Sequence, residues 1–415
     1  MRPTTVAIVG AGPAGLAAAL ELRRTSVDVV VLDREAEAGG IPRHCAHQGF
    51  GMRDLHRAMT GPAYARRYAD LAGSSGVQLF TGSTVTGWSD RGDLQITSPT
   101  GRETIEAQAV VLATGCRERP RAARLVPGSR PAGVMTTGML QQLVYRFGER
   151  PGRRALVVGA EHVSYSTVLT LHHAGTEVVG LVTEHPRHQT FRSFDLLARL
   201  RFRFPVWTQT AVGSINGSER VERVELTDLG TGATRSVACD TVVFTADWIP
   251  DHELAVLAGI GLDPGTRGPG VDLDGRTSRV GVFAAGNVLH GAETADVAAL
   301  GGRAAARSVF RFLEDRSWPG PRTPIVVMPP LTWIVPNVVT SVAGEPQGDF
   351  RLRAGVFMRR PTIRIEQDGR ELWSRRAQRL VPGRSLRVPS AWMRAVDPAG
   401  GRVTVWGLPS SEART

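Results

Sequence analysis

A glycine-rich turn near the start of the chain constrains its fold more than any other feature. A short apolar run leads into residues 10–15, which read G-A-G-P-A-G, and a second apolar run ends at Asp33. Gly10 allows the sharp turn, Gly12 lets the backbone approach a pyrophosphate, and Gly15 lets the next helix pack on the sheet. Free N–H groups at the start of that helix favour phosphate, and Asp33 is placed to bind ribose hydroxyls. The stretch predicts a strand–turn–helix–strand unit that binds a dinucleotide.

Composition bounds the class of protein. The 415 residues suggest two or three domains, and 42% hydrophobic with 21% charged residues is typical of globular proteins. No apolar run reaches the ~18 residues of a membrane span, and the chain enters its first strand at once, so we expect neither a membrane span nor a secretory signal. The charge of +11 comes from fifty dispersed arginines without a lysine, a coding bias rather than a nucleic-acid surface. An anionic substrate or an acidic partner fits this charge better.

The cysteines indicate the compartment. Cys45, Cys116 and Cys239 are far apart in sequence and form no C-x-x-C pair. This spacing favours a reducing compartment, which we take to be the cytoplasm, and argues against a zinc or iron–sulfur site. No metal site is predicted, and Cys116 and Cys239 are expected to be inert and packed.

Several further stretches have clear patterns. Residues 49–72 predict a loop followed by an amphipathic helix, and residues 77–80 a buried strand. Three alternating segments punctuated by glycine (84–88, 94–97 and 103–107) predict a small antiparallel meander. Residues 109–115 predict a buried strand that ends in Ala113-Thr114-Gly115.

These motifs, in this order, resemble the flavoproteins with two dinucleotide-binding domains, a group that includes the pyridine-nucleotide–disulfide oxidoreductases. The resemblance covers about residues 4 to 315 and adds the pair Gly39-Gly40 and the segment 281–287, which ends in Gly-Asn where the family usually has Gly-Asp. It implies that the N-terminal fold holds FAD, and that a helix beginning near Thr294 faces the flavin. The cofactor-binding residues that it implies are Gly10, Gly12, Pro13, Ala14, Gly15, Asp33, Arg34, Gly40, Val85, Thr114, Gly115, Gly286, Asn287 and Thr294.

A second glycine turn follows at residues 154–182, again in a strand–helix–strand pattern, with Glu184 near the ribose-acid position. Only Gly159 of its glycines is present, and Glu161 stands where the second glycine belongs. A carboxylate facing a pyrophosphate is unfavourable. We therefore expect the fold to be retained and NAD(P) binding to be doubtful, with another nucleotide or no ligand as alternatives.

The predicted fold class is α/β, with two Rossmann-like dinucleotide-binding domains and a small C-terminal β-rich domain. The FAD domain is expected to be discontinuous, at residues 1–118 and 250–318, around an NAD(P)-binding-like domain at 119–249. From Pro319 prolines cluster, and an Asp368-Gly369 turn lies between alternating runs, which predicts a β-hairpin. Residues 320–415 are therefore predicted to form the β-rich domain.

Four segments narrow the reaction. Pro42 and His47 stand where a disulfide reductase would carry its cysteine pair, and no histidine follows His290. The segments 39–49, 60–65, 117–120 and 136–141 resemble flavoprotein subunits of heteromeric amino-acid, opine or hydrogen-cyanide-forming dehydrogenases. We expect an FAD-dependent dehydrogenase, or its flavoprotein subunit, that passes electrons from a small polar substrate (amino acid or hydroxy-phosphate) to a partner or a quinone. The expected partner protein is a flavoprotein subunit. The alternatives are an NAD(P)H-dependent flavin oxidoreductase and a non-catalytic scaffold subunit.

Three side chains are candidates for contact with the flavin face. His47 and His44 are natural acid–base groups near neutral pH, and Cys45 is a possible nucleophile. Polar packing in the FAD loop is the alternative for all three. His290 and Glu293 are expected to be loop and capping residues. Two arginines after the Ala-Thr-Gly strand, Arg117 and Arg119, could bind a substrate anion.

Overall fold

The computed structural model describes residues 2–320, 322–340 and 348–409. The helices in these ranges are α1 (Pro13–Arg23), α2 (Gly61–Ser74), α3 (Thr137–Tyr145), α4 (His162–His173), α5 (Arg192–Phe202), α6 (Glu253–Leu257) and α7 (Ala295–Asp315). The strands before residue 130 are β1 (Arg2–Val9), β2 (Val29–Leu32), β3 (Gln48–Phe50), β4 (Met59–Thr60), β5 (Gln78–Phe80), β6 (Thr84–Trp88), β7 (Leu94–Ser98), β8 (Gly101–Leu112) and β9 (Cys116–Glu118). The next strands are β10 (Val134–Thr136), β11 (Arg154–Val158), β12 (Glu177–Val182), β13 (Val206–Trp207), β14 (Thr210–Asn216), β15 (Arg223–Asp228), β16 (Thr234–Ala238), β17 (Thr241–Phe244), β18 (Trp248–Pro250) and β19 (Val282–Ala284). The last are β20 (Arg322–Val327), β21 (Leu331–Val335), β22 (Val338–Thr340), β23 (Asp349–Ala354), β24 (Met358–Arg359), β25 (Thr362–Gln367), β26 (Arg370–Arg376), β27 (Arg379–Leu380), β28 (Leu386–Pro389) and β29 (Val403–Leu408).

The first sheet has the strand order β5-β2-β1-β8-β7-β6, and β19 joins it beside β8. Its central strands β1 and β2 are parallel runs of buried valine, isoleucine and leucine, as expected where both faces are covered. Strands β6 and β7 form the predicted meander. The sequence predicts separate strands at 103–107 and 109–112, and this is wrong: β8 is continuous, because Ile105 pairs with β7 on one side and with β1 on the other.

The second sheet is parallel, with the order β10-β17-β11-β12-β13. The chain then returns through β18, which pairs with β9, and β19 completes the first sheet. The second Rossmann-like unit is therefore inserted into the first. This arrangement confirms the predicted α/β class with a discontinuous first unit.

The C-terminal part is built from strands, as predicted. One sheet has the order β22-β20-β29-β25-β26 and another β21-β23-β28, and their apolar faces share one core. The hairpin between β25 and β26 turns at Asp368 and Gly369, whose φ angles of 49° and 79° suit a two-residue turn. The exact domain boundaries, 1–118 with 250–318, 119–249 and 320–415, stay a prediction.

Helices α1 and α7 pack closely together, and the N-terminal turns of both helices face one large cavity, which is described below. A Cβ on Gly302 would overlap the carbonyl of Ala14, and one on Gly286 would lie 2.6 Å from the Ala14 Cβ. The two starts, Pro13 and Thr294, both line that cavity. No helix in the described ranges has the length and apolar composition needed to cross a bilayer.

Candidate functional site

A cavity of about 2100 Å³ lies between the two Rossmann-like units and the C-terminal strands. This is larger than the roughly 300–1000 Å³ of a site for one small ligand. It has the capacity for a dinucleotide and a second molecule beside it. Twelve of the predicted cofactor residues line it: Gly10, Gly12, Pro13, Ala14, Asp33, Arg34, Gly40, Val85, Thr114, Gly115, Asn287 and Thr294.

The first glycine turn leaves its helix start open to the cavity. An added Cβ on Gly12 would find its nearest described neighbour, the Gly40 Cα, only at 4.0 Å. Within the described part of the chain, no side chain caps the first N–H groups of α1. An uncapped helix start beside an open glycine fits the pyrophosphate of a dinucleotide such as FAD.

The other two glycines of the turn shape the backbone. Gly10 has φ of +109° and faces the Ala113 carbonyl, so it makes the sharp turn. Gly15 does not line the cavity; a Cβ there would overlap the Gly10 carbonyl oxygen. Gly286 also lies behind the cavity lining. Gly15 and Gly286 therefore act by close packing.

Asp33 fixes the turn from the end of β2. Its Oδ2 accepts a hydrogen bond from the Ala11 N–H at 2.6 Å, and its Oδ1 accepts one from the Glu35 N–H at 2.8 Å. The carboxylate thus ties the second strand to the glycine turn while lining the cavity. Contact with ribose hydroxyls stays a prediction.

Asn287 has a reason to differ from the family's aspartate. Its Oδ1 accepts a hydrogen bond from the Glu293 N–H at 3.0 Å, and its Nδ2 donates one to the Glu293 carbonyl at 3.3 Å. An aspartate could not donate the second bond. The amide therefore holds the loop that leads into α7, and α7 begins just after its N-cap Thr294, close to where the resemblance places the helix start.

The second glycine turn is occupied by its own side chain. Glu161 accepts hydrogen bonds from the Ala160 N–H at 3.0 Å and the Ser164 hydroxyl at 2.8 Å, and another from the Thr245 hydroxyl. The same carboxylate and Ser164 form a capping box at the start of α4. The N-terminus of α1 is thus open to an anionic ligand, whereas the Glu161 carboxylate already occupies the corresponding position at the N-terminus of α4.

The three predicted catalytic side chains have different surroundings. His44 and His47 line the cavity, and Cys45 does not. Burial, reinforced by the positive charges of Arg43 and Arg146, lowers the pKa of His44. His47 contacts the Gln48 carbonyl through Nδ1 at 2.9 Å. Their catalytic roles stay predictions.

Cys45 is expected to react with thiol reagents far more slowly than a solvated cysteine. Its Sγ–H donates to the Gln141 side-chain oxygen at 3.3 Å, and burial raises its pKa to about 12. At pH 8 this lowers its thiolate fraction about a thousandfold relative to an ordinary thiol. Ellman's reagent should modify Cys45 only in urea, and Cys45→Ser identifies its share of the signal. A fast native phase that this variant lacks would contradict the prediction.

Arg117 and Arg119 are already paired. Arg117 contacts Asp251 at 2.5 Å and Glu253 at 2.7 Å, and Arg119 contacts Asp247 at 2.9 Å. Their charge is therefore balanced within the protein. The structure does not favour them as the anion-binding residues considered from the sequence.

A buried polar cluster joins the loop before α7 to the C-terminal strands. Arg353 donates to the Ala292 carbonyl at 2.7 Å and to Glu293 Oε1 at 3.2 Å. Its guanidinium lies over the Trp333 ring, on which His290 also stacks at 4.9 Å. Sequence reasoning expected His290 and Glu293 to be loop and capping residues, because their partners Trp333 and Arg353 lie far along the chain, in the C-terminal strands.

His290 is expected to make the protein less stable in mild acid. Burial, helped by Arg353 and Arg351 and opposed by Glu293 and a hydrogen bond to Gly291, lowers its pKa to about 4. Because this pKa lies below that of the unfolded chain, the unfolded state takes up the proton first, and stability is lost as pH falls from about 6.5 towards 4.

His290→Phe keeps the stacking on Trp333 and removes the titration. Between pH 7 and pH 5 this variant should lose about 1–2 kcal/mol less of its unfolding free energy than the wild type does. Urea unfolding with excess FAD measures the difference, and His172→Phe, at an exposed histidine, is the control. Equal losses in wild type and His290→Phe would contradict the assignment.

Comparison with known proteins identifies the group to which this architecture belongs. The family model described as pyridine nucleotide-disulphide oxidoreductase matches residues 4–302. One subunit of the opine oxidase of Rhizobium meliloti is 31% identical over 72% of this chain and 61% of its own length. The alpha subunit of sarcosine oxidase from Rhizobium meliloti (strain 1021) is 25% identical over 61% of this chain and 25% of its own length. The chain thus spans about three fifths of the first relative and a quarter of the second.

A solved structure supports the fold. Thioredoxin reductase of T. acidophilum superposes with a TM-score of 0.65 at 24% identity, and the match covers 76% of this chain and 100% of that one. The predicted resemblance, the oxidoreductase class and FAD as cofactor are confirmed, since FAD is the cofactor of this family. The chain belongs to the pyridine nucleotide-disulphide oxidoreductase family and is an FAD-binding flavoprotein.

Proposed function

We propose that this chain is an FAD-dependent dehydrogenase, or the flavoprotein subunit of one, that passes electrons from a small polar substrate to a partner protein. The substrate would be of the amino-acid or hydroxy-phosphate class. The observation that carries the proposal is the Glu161 carboxylate, which takes the N–H and hydroxyl donors of the second glycine turn. A nicotinamide dinucleotide would have to compete with it for that position.

The relatives agree with this interpretation. The opine oxidase and sarcosine oxidase relatives are both named as subunits of oxidases. A partner flavoprotein subunit for this chain is part of the proposal. The three cysteines of this chain are free, which favours a reducing compartment such as the cytoplasm.

Different residues would bind FAD, stabilise its reduced form and transfer the substrate proton. FAD supplies two-electron redox chemistry when it is bound. The open start of α1 at Gly12 would hold the pyrophosphate, and Asp33 the adenosine ribose. The start of α7 at Thr294 would stabilise negative charge on the reduced ring. His47 or His44 would take up the proton that the substrate releases on oxidation, since an uncharged imidazole is a base.

The test is anaerobic bleaching of the flavin absorbance by a panel of donors. Amino acids, opines and hydroxy-phosphates are tried with and without the product of the adjacent gene, beside NADH and NADPH. Reduction by a member of the first group and not by the nucleotides supports the proposal. Rapid reduction by NADH or NADPH alone indicates the nicotinamide-dependent alternative, and reduction by no donor indicates a scaffold subunit.

A further inference from the structure

Four arginines line one side of the cavity, beside the start of α7. We call this set the arginine wall; its members are Arg53, Arg351, Arg353 and Arg387. Three of them belong to the C-terminal strands, beyond the residues 4–302 that match the family model. Three quarters of the wall therefore come from the C-terminal part of the chain, outside the matched range.

The topology explains why the four side chains meet. Arg351 and Arg353 are two residues apart on β23, so they lie on the same face of the strand. Arg387 pairs with Arg351 across to β28. The backbone N–H of Arg53 donates to Asp296 Oδ2 at 3.1 Å, in the first turn of α7. The wall thus lies beside the helix start that the proposed function assigns to the flavin.

One member has a fixed structural position. Arg353 is bound to Glu293, to the Ala292 carbonyl and to the Ser385 hydroxyl, and only 12% of its side chain is exposed. Its pKa is lowered, chiefly by burial. Arg353 therefore orients the strand and supplies a fixed positive charge.

The positive charges of the other three arginines are only weakly paired with carboxylates. Arg351 reaches Glu293 only at 3.8 Å, and Arg387 reaches Asp349 only at 3.9 Å, both near the limit of an ion pair. Among the described residues, no carboxylate pairs with the Arg53 guanidinium. Burial, reinforced by Arg387 and Arg53 and opposed by Glu293 and Asp349, lowers the pKa of Arg351, because the guanidinium faces like charges and its carboxylate partners are distant.

Carboxylates facing this part of the cavity are fewer than the arginines. Glu293 is shared by Arg351, Arg353 and the Ser385 hydroxyl, and Asp296 accepts the Arg53 N–H. The partly buried guanidinium of Arg351 is costly to desolvate unless an anion pairs with it. A planar fork of N–H donors is also the arrangement that binds carboxylate and phosphate oxygens well.

We propose that the arginine wall binds the carboxylate or phosphate group of the substrate, with Arg351 as the main donor and Arg353 as a positioning residue. This assignment rests on the proposed function for its relation to the flavin. It makes the substrate a small anion and gives its recognition to the C-terminal strands of this chain. Uncharged amines would bind poorly.

The test measures binding directly. The FAD-loaded protein is titrated calorimetrically with succinate and, separately, with inorganic phosphate at low salt; bound FAD fills the first phosphate site, so that site is not counted. Arg351→Gln should weaken binding at least tenfold, and Arg53→Gln more moderately. Arg375→Gln, at an exposed arginine of β26 outside the cavity, is the matched control. Thermal unfolding of each variant checks that it is folded.

The outcomes separate the two ideas. Binding of succinate or phosphate that Arg351→Gln loses and Arg375→Gln keeps supports the arginine wall, and the anion preferred identifies the substrate group. Absence of binding, or equal binding by both variants, overturns it. If donors reduce the flavin without any anion binding, only this inference fails. If anions bind as expected and no donor reduces the flavin, only the proposed function fails.

Discussion

Alanine at Gly15 is expected to lower the free energy of unfolding by about 1–3 kcal/mol, with or without cofactor. Alanine at Gly12 is expected to weaken the binding of FAD and to leave the free energy of unfolding nearly unchanged. The Gly15 Cβ would overlap the carbonyl oxygen of Gly10, a backbone atom that cannot rotate away. The Gly12 Cβ would enter open space on the cavity side. The first change damages packing, and the second obstructs the approach of a pyrophosphate.

The two variants are compared with and without FAD. Gly12 has φ of −80°, which alanine adopts without strain, so unfolding of the cofactor-free Gly12→Ala protein should stay within about 0.5 kcal/mol of wild type. Its dissociation constant for FAD, measured by quenching of flavin fluorescence, should rise at least tenfold, or about 1.4 kcal/mol. Unchanged FAD affinity in Gly12→Ala would show that the pyrophosphate does not lie at this turn.

Replacing Glu161 by glycine is expected to create or strengthen binding of NADH or NADPH. Two negative groups about 4 Å apart repel by about 4 kcal/mol at an effective dielectric constant of 20, so the wild-type carboxylate is a strong barrier to a pyrophosphate. Glu161→Gly removes both charge and bulk, and we expect nucleotide affinity to rise about tenfold to a thousandfold. Calorimetric titration with each nucleotide measures the change.

Glu161→Gln is the control because it removes the charge and keeps the bulk. A gain in both variants assigns the barrier to charge, and a gain in Glu161→Gly alone assigns it to shape. Both variants should lose about 1–3 kcal/mol of stability, since the Ala160 N–H and two hydroxyls lose a charged acceptor. Tight NADH binding by the wild type would contradict the explanation.

Local patterns predicted the units of this fold well. The first glycine turn, the second turn with its lone Gly159, and the Asp368-Gly369 hairpin are each specified by neighbouring residues, and each forms as expected. The break placed between residues 107 and 109 was wrong, because the continuity of β8 depends on partners on both sides. Strand pairing at long range is not encoded in a local pattern.

The same limit explains which site residues were missed. The sequence drew attention to Arg117 and Arg119 because they follow a family motif, but their counter-ions lie on a distant crossover segment. Arg351 and Arg353 look like ordinary exposed positions of a β-strand. Only the register of β23 with β28, and the packing of both against the loop before α7, brings them to the cavity.

The carboxylate at the second glycine turn also has a consequence for competition. Glu161 is covalently attached one residue from the N–H that it accepts, so its effective concentration at that position far exceeds the concentration of a dissolved nucleotide. Changes in the cellular level of NADH would therefore do little to displace it. Selectivity at this turn would be set by the chain itself and would be insensitive to the metabolic state of the cell.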